Sequence, residues 1–323
     1  MEYPEILRNA VELKAAGWKP QDLKKASAAI TERYKNNIGN GNSLVVSDID
    51  SVVYSIVRMP ATFSAIRRSL EWASERTDEI NKVRSVLDVG AGTGAAAWTM
   101  LGMLDRINEI VCLEREESML TLGKALMSSC PELEKKTEWL RQDINTFSSE
   151  KKYDLVIASY MLNELTPSDR EKAVKSLWEK SSKMLVLIEP GTPAGFSYIK
   201  MAREILLSCG AHIAAPCPHE EKCRMDKDDW CHFTVRIQRS RLHKMLKSAD
   251  VPYEDEKFSY AVFIREGVAD KCSRILRHPY IEKSKITLEL CGTEDNQTAV
   301  ITKKQGVLFK AAKKSKCGDS IVI

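Results

Sequence analysis

The apolar positions of the first 80 residues recur at helical intervals. Ile6, Leu7, Ala10 and Leu13 follow helical spacing, and Gly17 ends the run. A second helix is predicted over residues 21–36, and the Gly- and Asn-rich stretch 37–43 reads as a loop. Ser47 stands where an N-cap would, ahead of Ile49, Val53 and Ile56, with Asp50 as a weak capping-box partner. Pro60 is placed to open another helix, in which Phe63, Ile66, Leu70 and Ala73 share a face.

From residue 83 the period changes. Short β-rich runs at 83–89, 109–114, 137–140, 153–159 and 183–189 alternate with helical stretches at 95–104, 116–128, 168–181 and 196–207. Strands alternating with helices of this length predict parallel β-α-β units covered on both faces, a doubly wound α/β sheet with ligands at the carboxyl ends of its strands. The alternation breaks near residue 209. A loop containing Cys, His and Pro runs to His232, followed by a basic helix and an alternating strand at 258–265. Three short strands are predicted at 286–290, 299–302 and 306–309. The chain thus divides into an N-terminal helical region (1–80), an α/β domain (81–208) and a C-terminal Cys-rich, β-containing module (209–323).

Composition adds limits. Apolar residues make up 43% and charged residues 29% of 323, which is globular and sufficient for a sizeable core. No apolar stretch approaches a bilayer span, so no membrane role is expected. The start, Met1-Glu2-Tyr3-Pro4-Glu5, has no apolar signal region and is not an Arg-rich transit peptide. Nine cysteines, an odd count without a signal peptide, argue against a disulfide framework. These features predict a cytoplasmic protein, monomeric, in a reducing compartment. The net charge of +4 hides two basic clusters. One holds Arg236, Arg239, Arg241 and Lys244; the other holds Lys310, Lys313 and Lys314. Both would suit a polyanion, or be no more than solvated faces.

The strongest motif is Val86-Leu-Asp88-Val-Gly90-Ala-Gly92-Thr-Gly94, after a predicted buried strand and before a helix. Glycines there allow a tight turn and close approach of a ligand. Glu114 ends the next strand, where a carboxylate can accept from both ribose hydroxyls. Gly90-x-Gly92-x-x-Ala95 also fits the dinucleotide fingerprint. Asp88-x-Gly90-x-Gly92-x-Gly94, however, resembles motif I of class I S-adenosylmethionine-dependent methyltransferases. Gln142-Asp143 resembles the adenine-contacting position of that class, and Ser159 ends the fourth strand at the same edge. Asn163 and Glu164 follow Ser159, and Glu189 ends the fifth strand. Either Glu is a candidate general base toward an amine, with Asn163 beside the acceptor. The alternative is that Asn163 caps a turn and Glu189-Pro190 ends a strand.

Cys217, Cys223 and Cys231 bring three thiols into 15 residues, as a metal site would. Cys291, Cys209, His219 and His232 are candidates for a fourth ligand. Zinc and an iron–sulfur cluster both suit four thiolates, and the spacing selects neither.

Together, Arg58-Met-Pro60-Ala-Thr62, the glycine loop, Ser159-Tyr-Met-Leu-Asn163-Glu-Leu165, Glu189-Pro-Gly-Thr-Pro193, Ala215-Pro-Cys217-Pro-His219 and Phe258-Ser-Tyr-Ala-Val262 resemble a known family. This is the methyltransferase-like family associated with the mitochondrial small ribosomal subunit, which has bacterial and archaeal relatives. The likeness runs from about residue 45 to the C-terminus. It implies a class I methyltransferase fold of Rossmann-like type and a role in small-subunit assembly beside ribosomal RNA. It also implies a [4Fe–4S] cluster, whose ligands by position are Cys217, Cys223, Cys231 and Cys291. S-adenosylmethionine would be held by Asp88, Gly90, Gly92, Gly94, Glu114, Gln142, Asp143 and Ser159, and the two basic clusters would meet RNA. Lys316-Cys317-Gly318-Asp319 departs from the family's usual Trp-Gly-Asp, and the mitochondrial targeting extension is missing, as suits a prokaryotic-type chain. Methylation of ribosomal RNA, a non-catalytic assembly role and a small-molecule methyltransferase remain open as functions.

Overall fold

Four helices precede the first strand: α1 (Glu5–Ala15), α2 (Pro20–Asn36), α3 (Asp48–Val57) and α4 (Met59–Ser74). The computed structural model describes residues 3–36, 44–225, 228–267 and 272–323, so the loop expected at 37–43 lies outside the described residues. Ser47 caps α3 by accepting from the Asp50 N–H, and Pro60 sits in the first turn of α4. Phe63, Ile66, Leu70 and Ala73 are all buried, as their spacing predicts. For α1 the face differs from expectation. Leu7, Val11 and Ala15 are its buried residues, whereas Leu13 is 74% exposed. The two sets share Leu7, and the neighbouring helices α3 and α6 select the Val11 side.

The alternating region then supplies β1 (Ser85–Val89), α5 (Ala95–Leu101), β2 (Glu109–Glu114), α6 (Glu117–Met127), α7 (Pro131–Lys136), β3 (Thr137–Arg141), β4 (Tyr153–Ser159), α8 (Pro167–Lys180), β5 (Ser181–Pro190) and α9 (Pro193–Ser208). β6 (His212–Ala215), β7 (Phe233–Gln238), α10 (Arg241–Lys247) and β8 (Tyr253–Ile264) follow. Among the described residues these strands form one eight-stranded sheet in the order β3-β2-β1-β4-β5-β8-β6, with β7 also paired to β8. β1 to β5 run parallel, and β8 is antiparallel to β5. This is the doubly wound sheet of class I methyltransferases, with the strand order reversing between β1 and β4 at its centre. Buried strands alternate their side chains between two apolar layers. Val86, Ile110, Leu155 and Val186 face the layer of α3, α4 and α5, and Leu87, Val111, Val156 and Leu187 face that of α8 and α9.

The sheet continues past residue 209. β8 offers one edge to β5 through residues 258–264, and its other edge to both β7 (253–258) and β6 (262–264). The Cys-containing loop leaves from β6 and returns at β7, opposite residues 259–261 of β8.

A second, five-stranded sheet comprises β9 (Ser273–Ile275), β10 (Tyr280–Ile281), β11 (Lys285–Cys291), β12 (Asn296–Thr302) and, after helix α11 (Val307–Lys314), β13 (Ser320–Ile321). The strand expected at 306–309 is the start of α11 instead. Leu308, Phe309 and Ala312 pack on β11 and β12 at helical spacing, while Val307 is 85% exposed. Thr302 and Gln305 form a capping box just ahead of this helix. The Cys317 thiol is buried and donates to the Leu276 carbonyl at 3.1 Å. Gly318 lies flat against the Trp72 ring.

Candidate functional site

β1 releases the chain at Gly90, whose φ is +69°, with its N–H donating to the Leu113 carbonyl at 2.9 Å. Gly92 follows at φ +57°. Both require the left-handed region, which side chains with a Cβ rarely adopt. The loop passes over the carboxyl ends of β1 and β2 and borders a cavity there. Gly90, Gly92, Glu114, Gln142, Asp143 and Ser159 line it together. Glu114 is buried, and its oxygens accept from the Gly92 N–H at 2.7 Å and the Glu116 N–H at 2.8 Å. Burial raises its pKa, and these N–H donors pull it back.

Asp88 and Gly94 do not line the cavity. Asp88 lies behind the glycine loop beside Cys112 of β2, 1% exposed, with no partner for either carboxylate oxygen among the described residues. Burial, then the charge of Glu114, pushes its carboxyl up to about 8. Gly94 caps α5 from below.

Of the three catalytic candidates, one reaches the wall. Glu164 lines the cavity; burial pushes its carboxyl up to about 7, against the pull of Arg115. Asn163 is buried off the cavity, its Oδ1 without a partner among the described residues. Glu189 is fully buried, and its Oε1 accepts from the Leu162 N–H at 2.8 Å. Burial pushes it up to about 8. Its hydrogen bond ties the β4 loop to the end of β5.

Several wall residues escaped the sequence reading. Arg115, immediately after Glu114, reaches Glu116 at 3.1 Å, Glu164 at 3.5 Å and Asp143 at 3.8 Å, spanning the cavity edge. Its adjacency to Glu114 was the available signal. Tyr34 and Tyr54 arrive from the N-terminal helices, and Tyr160 follows Ser159 with φ +58°. The Tyr160 hydroxyl donates to Glu256 Oε1 of β8 at 2.9 Å. Nothing in the local sequence links these three tyrosines.

A second cavity lies where the Cys loop meets the smaller sheet. Cys217, Cys223, Cys231 and Cys291 all border it, with Arg203, Arg274, His219 and Tyr260. β11 delivers Cys291, and its register sets Cys291 opposite Arg274 of β9. The loop is held by Ser259 Oγ donating to the Cys231 carbonyl at 2.8 Å and by Arg76 donating to the Cys217 carbonyl at 2.9 Å. Burial pushes the thiols of Cys217 and Cys231 up, and that of Cys291 up to about 12. Cys209 is exposed at the end of α9, and His232 stacks on Trp230; neither borders this cavity. No three His, Cys, Asp or Glu side chains among the described residues converge tightly enough to hold a single metal ion.

The basic residues divide. Arg236 makes a two-point pair with Asp255 at 2.7 and 2.8 Å, and Arg239 pairs with Glu254 at 3.3 Å. Arg241 and Lys244 lie on α10. Lys310, Lys313 and Lys314 are exposed along α11 and make no ion pair among the described residues. No described helix is long and apolar enough to cross a membrane.

Comparison with known sequences decides the family. The profile of the mitochondrial small ribosomal subunit protein Rsm22 matches residues 48–322. The chain belongs to the Rsm22 family. Its similar relatives include the human mitochondrial ribosome assembly protein METTL17, 26% identical over 347 residues, which span all of this chain and 74% of that protein. Rsm22-cox11 tandem protein 2, a mitochondrial protein of Schizosaccharomyces pombe, is 23% identical over 85% of this Rsm22-family chain. The chain spans only 43% of that tandem protein's length. Among solved structures, a putative RNA methyltransferase from Pyrococcus horikoshii aligns at 17% identity over 60% of this chain and 77% of its own, with a TM-score of 0.38. A magnesium protoporphyrin IX methyltransferase from Synechocystis with bound S-adenosylmethionine aligns at 13% over 73% and 91%, with a TM-score of 0.42.

Proposed function

We propose that this Rsm22-family protein is an assembly factor of the small ribosomal subunit that binds S-adenosylmethionine at the carboxyl edge of its large sheet. One observation carries the cofactor half. Six of the eight residues read from the sequence as a binding set, Gly90, Gly92, Glu114, Gln142, Asp143 and Ser159, border a single cavity. Two N–H donors fix the Glu114 carboxylate there, and each oxygen keeps a lone pair for a ribose hydroxyl. Gln142 and Asp143 would meet the adenine. Bound S-adenosylmethionine carries a transferable methyl group. Family membership and the name of the human relative support the assembly half, and the unpaired lysines of α11 support contact with ribosomal RNA.

The four cysteines would hold a [4Fe–4S] cluster. Their thiols border one cavity, and four thiolates are a donor set that suits such a cluster, which the family resemblance favours over zinc.

A second reading, methylation of ribosomal RNA, is favoured by Glu164. It borders the cavity with a carboxyl pushed up to about 7, suited to accept a proton near neutral pH. Glu189, which ties the β4 loop to the end of β5, keeps that task in either reading.

Calorimetric titration of S-adenosylmethionine into the anaerobically purified protein tests the cofactor site. Binding is expected, and Glu114→Ala should weaken it at least about tenfold, as losing a charge-assisted hydrogen bond would. No binding to the unaltered protein would end the proposal. Labelled methyl transfer to small subunits from cells lacking the protein then separates the two readings. Label in their RNA, absent with mature subunits, makes the protein an RNA methyltransferase; co-sedimentation without label leaves a non-catalytic factor.

A further inference from the structure

Two guanidinium groups on the wall of the cysteine cavity are buried without a carboxylate. Arg203 of α9 is 3% exposed, and Arg274 of β9 is 1% exposed. Arg203 Nη2 donates to the His219 carbonyl at 3.1 Å and to the Glu221 carbonyl. Arg274 donates from Nε to the Pro216 carbonyl at 3.1 Å and from Nη1 to the Gly318 carbonyl at 2.5 Å. All four acceptors are backbone groups. Arg203 Nε and Arg274 Nη2 have no partner among the described residues. Neither guanidinium has a carboxylate at ion-pair distance there. Glu75, just past α4, feels the charge of Arg274 without pairing to it, and Arg224, on the Cys loop, already pairs with Glu221 at 2.9 Å.

An arginine keeps its charge in any protein environment. Two full, buried positive charges therefore border a space walled otherwise by four thiols, His219, Ser259, Tyr260, the half-buried Lys200 and apolar groups. An uncompensated buried charge is strongly destabilising, and backbone carbonyls return only part of the lost hydration. Neutral thiols leave the imbalance in place. Four thiolates around zinc, or around a four-iron cluster in its common oxidised form, carry a net charge of about −2. That is the charge two guanidinium groups balance.

We propose that Arg203 and Arg274 are the counter-charges of an anionic metal–thiolate group held by Cys217, Cys223, Cys231 and Cys291, with N–H donors left over for its sulfur atoms. The inference rests on the reading that these cysteines bind metal as thiolates, and it holds for either metal. The two arginines act as positioning and tuning residues. Two charge-free variants, Arg203→Met and Arg274→Met, keep much of the side-chain length. Arg203→Lys keeps the charge.

The test compares loaded and metal-stripped forms of the full chain, purified without oxygen. In the loaded form each Met variant should unfold at a lower temperature and release metal to a chelator at least about tenfold faster. In the stripped form the sign should invert, with each Met variant unfolding at the same or a higher temperature than the parent, because the unpaired charge is gone. Arg203→Lys should recover most of the loaded behaviour. If the group is an iron–sulfur cluster, its midpoint potential should move to more negative values in the Met variants, since one-electron reduction adds negative charge. Potential and metal release can both be read on whatever folded fraction a variant yields. Equal destabilisation of loaded and stripped forms with an unchanged release rate would overturn the proposal and leave the arginines as braces of the loop. Metal analysis of the parent protein separates the underlying reading. Zinc with the inverted sign supports the counter-charge and refutes the cluster, and a parent that binds no metal refutes both.

Discussion

Replacing Asp88 with Asn tests whether the carboxyl behind the glycine loop is protonated in the native protein. Asp88 is 1% exposed, both its oxygens lack partners among the described residues, and the charge of Glu114 acts on it. Burial and that charge push its carboxyl up to about 8, and burial pushes Glu189 up to about 8 as well. In the unfolded chain both groups titrate near 4. Between about pH 4 and pH 8 the folded protein thus holds more protons than the unfolded chain, so stability falls as pH rises. The slope is about 1.4 kcal/mol per pH unit for each group, or about 5 kcal/mol for the pair between pH 5.5 and 7.5. Asn keeps the shape of Asp and removes the titration. Asp88→Asn should therefore lose about half of that pair's slope, and its advantage over the parent should widen steadily toward pH 7.5. Glu164 contributes equally to both proteins and cancels. Urea unfolding followed by tryptophan fluorescence at three pH values reads the difference. Parallel stability curves for parent and variant would refute a protonated Asp88.

Two further outcomes follow from packing and charge. Gly318→Ala sets a Cβ about 2.2 Å from the buried Trp72 ring at a backbone φ of +94°, so it should lower stability by about 2–4 kcal/mol, read as a drop in urea midpoint; a midpoint within experimental scatter of the parent would show that the ring can move aside. Reversing Lys310, Lys313 and Lys314 to Glu should weaken RNA binding and reduce the slope of log affinity against log salt by about two to three, as expected for three lost phosphate contacts. A slope equal to the parent's would remove α11 from the RNA surface.

How far the chain could be read depended on whether its signals were local. The five parallel strands and the helices α5, α6, α8 and α9 were legible because each is a run with one period, and their order follows from chain sequence and crossover rules; the six-residue α7 between β2 and β3 was not. The glycine loop and Glu114 were legible for the same reason. The face of α1 was not, because Ile6, Leu7 and Leu13 fit a helical stripe as well as Leu7, Val11 and Ala15 do, and only the contact with α3 and α6 distinguishes them. At 306–309 the run Gly-Val-Leu-Phe has β propensity, yet the capping box ahead of it and the Ala and Lys residues after it propagate a helix. Tyr34 and Tyr54 are invisible for a different reason. Each reaches its cavity from an element far away in sequence, so no spacing rule can find it.

The two cavities are joined by one strand. β8 carries Glu256, which accepts from Tyr160 at the edge of the first cavity, and three residues on it carries Ser259, which holds the Cys231 carbonyl at the second. Trp230, beside Cys231, donates to the carbonyl of Gly191, two residues beyond Glu189. The Cys loop is therefore fastened to the same strand ends that close the large sheet over its candidate cofactor cavity. Antiparallel β8 makes this possible. A parallel strand would have carried residues 256 and 259 toward the amino ends of its neighbours, away from the loops that follow β4 and β5. By reversing direction, β8 enters the sheet at the carboxyl edge, first meeting the Tyr160 loop and then the opening between β6 and β7 from which the cysteines project. A group bound by the four cysteines would brace that strand from outside the sheet, at the point where the sheet's own hydrogen-bonded edge is interrupted.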